Sequence, residues 1–183
     1  MHFIESGFGN KSEAFIERRY KSGTNIIFSN DNNKGKTLTV QGLMYSIGND
    51  PIFPSGFTHQ EYYFYSKLNH NEKEWLFLRK RNSFLVKSGS EIRLFESVAE
   101  LKRFFNEQIY KLPKINKNGI IKITDLALFF QLFFLPQDNR DTSNVISSGY
   151  YNKTDFVDMI YALFDEDLTP EPAEHLAFIR KDE

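Results

Sequence analysis

Residues 73–95 read KEWLFLRKRNSFLVKSGSEIRLF. Large apolar side chains recur there at every second position, the period of a strand with one buried face. Three runs, Trp75–Arg79, Phe84–Lys87 and Ile92–Phe95, are separated by polar turns at Lys80–Ser83 and Ser88–Ser90. That is an antiparallel meander. Immediately upstream, Tyr62-Tyr63-Phe64-Tyr65 is aromatic enough for another strand, closed by a turn at Asn69-His70-Asn71. Thr58 and Glu61 have the spacing of a capping box, which competes for the same residues. The strand reading is preferred because the meander needs a partner.

Further upstream, Thr24–Ser29 and Thr37–Tyr45 are rich in β-branched and aromatic residues, with the turn formers Asn30 to Gly35 between them. The pattern predicts a hairpin. Residues 46–57 carry Gly48, Pro51, Pro54 and Gly56 and read as loop. The first 22 residues hold one short helix, capped by Asn10 or Ser12, with Phe15, Ile16 and Tyr20 as its apolar side.

Downstream of Phe95 the apolar period lengthens to 3.6. Ser97 and Glu100 open a helix whose face is Leu101, Phe104, Phe105 and Ile109, ended by Pro113. Thr124 caps a second helix with the stripe Leu126, Phe129, Phe130, Phe133 and Phe134. Thr154 caps a third with Phe156, Met159, Ile160, Leu163 and Phe164. Strands first and helices later make an α+β chain. The expected plan is an antiparallel sheet of about five strands over residues 24–95, packed against C-terminal helices at 97–111, 125–135 and 155–166, plus the short N-terminal helix. A single domain, 1–183, is expected: β-rich to 95, helical over 96–168, then an acidic, proline-containing tail over 169–183.

At 183 residues, 40% hydrophobic and 26% charged, the chain has ordinary globular composition and length for a sizeable core. It has no cysteine, which removes thiolate chemistry, thiolate metal sites and disulfides. The start, Met-His-Phe-Ile-Glu-Ser-Gly, lacks a basic segment followed by an apolar run. The longest apolar stretch, Leu126 to Leu135, is about half a membrane span. The chain reads as cytoplasmic, without a membrane anchor.

Catalytic and ligand motifs are sparse. Gly119, Thr124 and Asp125 recur thirty residues later as Gly149, Thr154 and Asp155, and the first copy has the outline of a calcium loop. Its first ligand position is Lys114 and its last is Asp125, too short for the bidentate glutamate, so two similar helix starts explain the recurrence. The histidines, His2, His59, His70 and His175, lack metal-pair spacing. Ser6-Gly7-Phe8-Gly9 has no strand leading in and reads as a turn. No metal, cofactor or catalytic residue is assigned. An enzyme site assembled around His59, His70 and Glu72 is the least favoured alternative.

Charge is uneven. Residues 1–120 carry a net +6 and residues 121–183 a net −7. In the basic half, Lys73, Arg79, Lys80, Arg81, Lys87 and Arg93 interleave with Trp75, Phe77, Phe84 and Phe95. Such a segment, Lys73–Arg93, can hold nucleic acid, although strict alternation would bury its aromatics. In the acidic half, Asp165-Glu166-Asp167 crowds a helix C-terminus, where the helix dipole opposes negative charge. The favoured expectation is a non-enzymatic binding protein, of the kind that gives immunity to a basic nuclease toxin by presenting an acidic face. The partner-facing set is Asp155, Asp158, Asp165, Glu166 and Asp167, with Tyr150, Tyr151 and Tyr161 as aromatic anchors.

Overall fold

The structure, a computed structural model, describes residues 1–28, 30–31, 35–134 and 151–164. The chain divides into two compact units, Met1–Phe104 and Phe105–Glu183. The fold is α+β, with a six-stranded antiparallel sheet and helices mostly towards the C-terminus. No helix among the described residues is long and apolar enough to cross a membrane.

In the first unit the strands are β1 (His2–Gly9), β2 (Ala14–Glu17), β3 (Tyr63–His70), β4 (Lys73–Lys80), β5 (Ser83–Ser88) and β6 (Glu91–Phe95), ordered β2-β1-β3-β4-β5-β6. The meander forms where its alternation predicts. Register pairs Leu68 with Trp75 and Ser66 with Phe77, then Phe77 with Val86 and Arg79 with Phe84. One face of the sheet is therefore Phe64, Ser66, Leu68, Trp75, Phe77, Arg79, Phe84 and Val86, all buried. Asn71 and Glu72 both have positive φ, 50° and 62°, giving the tight two-residue connection that matches strand twist.

Two N-terminal expectations are corrected. Residues 14–17 are strand β2, paired to β1 with Phe8 opposite Phe15, where a helix was expected. Asn10 does cap, but it caps a turn: its Oδ1 accepts from the Ser12 and Glu13 amides at 2.9 and 3.0 Å. An Asx turn and a helix N-cap use the same acceptor, and only the pairing partner distinguishes them.

The expected hairpin at 24–45 is also corrected. Residues Lys36–Ser46 form helix α1. It ends with Gly48 at φ 102°, where Asn49 N–H bonds Met44 C=O and Gly48 N–H bonds Tyr45 C=O, the Schellman pattern. Thr37, Thr39 and Val40 suggested a strand, but propensities are a weak prior that burial overrides. From Gln41 to Ser46 every residue of α1 is buried. Gly42 lets α1 lie close on β3: a Cβ there would come within 2.9 Å of the Phe64 ring. Four residues on, Ser46 Oγ is 2.7 Å from Ser66 Oγ.

Helix α2 (Val98–Gln108) starts as the capping spacing predicts, with the Glu100 amide donating to Ser97 Oγ at 3.3 Å. Its Phe104 meets Trp75 edge-on at 5.8 Å. The second unit holds a hairpin of β7 (Lys114–Lys117) and β8 (Ile120–Ile123), then α3 (Leu126–Phe130) and α4 (Lys153–Phe164). The stripe residues Leu126, Phe129 and Phe130 are buried, as is Met159. The expected 125–135 helix is shorter than its stripe suggested: residues 131–133 form a turn, and Phe133 is 66% exposed. Residues 135, 165 and 166, and the tail, lie outside the described residues.

Candidate functional site

The partner-facing set divides. Asp155 points inward, contrary to expectation. It is 3% exposed, and its carboxylate takes the equally enclosed Lys117 ammonium at 2.5 Å and the Asn152 amide at 2.8 Å. In return the Asp155 amide donates to Asn152 Oδ1 at 3.0 Å, so the pair closes the N-terminus of α4 as a reciprocal box. Tyr151 also turns inward, with its hydroxyl on the Asp125 carboxylate and its ring 5.5 Å from Lys117 Nζ. Asp158 is half-buried. Its pKa is raised by burial and, secondarily, by the neighbouring Asp155 charge. Tyr161 is 60% exposed. Tyr150, Asp165, Glu166 and Asp167 lie outside the described residues.

The two suggestive histidines are far apart. His59 stacks on Phe53 at 4.6 Å and meets Tyr45 edge-on at 5.4 Å, beside Phe64. His70 lies at the far end of β3, six residues or about 20 Å further along the strand. Among the described residues no three His, Asp or Glu side chains are grouped to hold a metal. In the Lys73–Arg93 segment, Trp75, Phe77 and Phe84 are buried in the sheet, and Arg79 is buried with them. The opposite face of these strands carries Leu76, Leu78, Lys80, Leu85 and Lys87, so no aromatic of this segment is free for base stacking.

No family model and no curated protein matches the chain.

The arrangement that stands out was missed from sequence. Helix α1 begins at Lys36, directly after Gly35, which has φ 76° and offers no side-chain cap. The first turn carries no acidic residue. The leading amides of a helix have no intrahelical acceptor, and the positive end of the helix dipole favours an anion there. Thr39 N–H and Thr39 Oγ1 both bond Gly35 C=O, at 2.9 and 3.0 Å, which locks the first turn. Lys36 Nζ donates to the Asp31 carbonyl at 2.9 Å. The sequence signal was Gly35-Lys36-Thr37 after a four-residue spacer from Asn30, which resembles a phosphate loop but departs from it twice: Asn30 replaces the first glycine, and residues 24–28 form no strand leading in. Reading 37–45 as a strand hid it, because the motif requires a helix there. The preceding residues are anchored too: Asn25 accepts from the Lys21 amide at 2.8 Å and donates to Lys21 C=O at 2.8 Å. Ile26 and Phe28, just before the loop, are 82% and 80% exposed.

Proposed function

We propose that the N-terminus of α1 binds the phosphates of a nucleoside triphosphate. The observation that carries this reading is Lys36: an ammonium at the first residue of a glycine-led helix, bonded to the Asp31 carbonyl. In that position it reaches oxygens seated on the helix amides. Gly35 lets the backbone approach those oxygens without a Cβ; the space around it is open to 4 Å. Thr37 supplies the hydroxyl that in this motif ligates a phosphate-bound Mg²⁺. The close seating of Gly42 and Ser46 on β3 supports the reading by making α1 a rigid mount for that end. The test is titration of a fluorescent nucleoside triphosphate with Mg²⁺ into the full chain and into Lys36→Ala. A charge-assisted hydrogen bond is worth about 1.5–3 kcal/mol, so affinity should fall about 10- to 100-fold. Equal affinity in the variant overturns the reading.

A second reading keeps the inhibitor expectation, now without Asp155 and Tyr151. It is favoured by α4, where Val157, Tyr161 and Phe164 recur at helical spacing and are 36%, 60% and 87% exposed. An apolar stripe beside carboxylates suits a basic protein partner. Under this reading a basic nuclease binds the chain in the absence of nucleotide, and Tyr161→Ala weakens the complex; unchanged binding removes it.

A further inference from the structure

At the other end of α1 lies a polar cavity of about 440 Å³, walled by Tyr45, Asp50, His59, Arg79 and Arg81. We propose that it binds a small oxyanion, a phosphate or carboxylate group, on Arg79 and Arg81, with Asp50 occupying the place until the ligand arrives. The inference is independent of the phosphate loop.

Arg79 is the centre of the argument. It is 3% exposed, and a buried cation is tolerated only when its donors and charge are matched. Nη1 donates to Tyr45 C=O at 3.0 Å and Asn49 C=O at 2.8 Å, and Nε donates to Arg81 C=O at 2.7 Å. The guanidinium is 3.6 Å from the centre of the Tyr45 ring and 4.7 Å from that of Phe84. These contacts fix its orientation and leave Nη2 facing the cavity. There it meets the Asp50 carboxylate at 2.7 Å, and a guanidinium has one more Nη2 hydrogen to offer.

Asp50 marks where an oxyanion sits. Its side chain is 66% exposed, opposite a guanidinium that is 3% exposed. A carboxylate so open to water gives up an ion pair cheaply, whereas Arg79 cannot leave. A ligand oxygen that replaces Asp50 restores the match to the buried charge.

Arg81 supplies the second cation at the mouth. Its φ is 55°, a left-handed backbone conformation that strains a residue carrying a side chain. Its carbonyl accepts from Arg79 Nε and from the Tyr45 hydroxyl at 3.2 Å, so the strained turn is held by backbone contacts. Glycine would serve that turn better, yet the position carries an exposed guanidinium. The side chain makes one long bond, to Gln60 C=O at 3.4 Å, and is available to a ligand at little cost. His59, stacked on Phe53, forms a flat wall opposite.

The experiment is isothermal titration of inorganic phosphate, and separately of citrate, at constant ionic strength set with chloride. It compares Lys36→Ala, Lys36→Ala with Arg81→Ala, and Lys36→Ala with Asp50→Asn. Anion binding should persist in Lys36→Ala, weaken at least tenfold on loss of Arg81, and tighten several-fold with Asp50→Asn. Binding of both anions assigns the site to oxyanions generally, and binding of one identifies the source. Loss of all anion binding in Lys36→Ala overturns this site while supporting the phosphate loop. Equal affinity with and without the Arg81 side chain also overturns it.

Discussion

Removing the Asp155 carboxylate separates an internal role from a partner-facing one. An outward carboxylate can be truncated with an effect within about 0.5 kcal/mol. Asp155 instead meets Lys117, and the two side chains are 5% and 9% exposed. Asp155→Ala strands that ammonium, a change that costs about 3–5 kcal/mol. It also deletes half of the reciprocal box with Asn152, where capping is worth about 1 kcal/mol. Against a typical domain stability of about 5–15 kcal/mol, the loss is large. It should appear as amide exchange about two to four orders of magnitude faster across 114–117 and 153–164, read by mass spectrometry. Replacing both partners, Asp155→Leu with Lys117→Met, should recover most of the protection, because two apolar side chains leave no unmatched charge. Unchanged exchange in Asp155→Ala would refute the buried pair and return Asp155 to the partner-facing set.

Two further outcomes follow from the first unit. Gly42→Ala gains about 1 kcal/mol of helix propensity but drives a methyl to 2.9 Å from the Phe64 ring, which is fully buried. Overpacking costs about 1–3 kcal/mol, so the urea midpoint read by Trp75 should fall, and a rise would show that α1 is not seated on β3 as described. Glu17 is held down to about 2 from 4.5, first by the Arg19 guanidinium hydrogen-bonded to it and also by the backbone amides of Arg19 and Arg18. A depressed folded-state pKa adds stability that is present above about 4.5 and lost as the pH falls towards about 2. Acid titration of Glu17→Gln should therefore show a shallower loss of stability across that window, and an identical slope would show that Glu17 does not contribute.

The meander was legible because a period of two is a geometric property of the strand itself. Once Trp75, Phe77, Phe84 and Val86 alternate, their burial on one face follows whatever covers them. The start of α2 was legible for the same kind of reason: Ser97 and Glu100 act on amides three residues away. The candidate site was not legible in this way. Asn30 in place of the usual glycine weakened the motif, and the β-branched Thr37, Thr39 and Val40 pointed to a strand.

The chain by itself determined the α+β class, the register-bearing faces of β3 to β5 and the start of α2, since these depend on spacing along the backbone. Tertiary packing decided that 14–17 pairs with β1 and that 36–46 coils against β3. It also decided that the Asp155 charge turns inward to Lys117. In each case the local preference is about 1 kcal/mol or less. Contacts formed across tens of residues, such as Gly42 against Phe64, outweigh it.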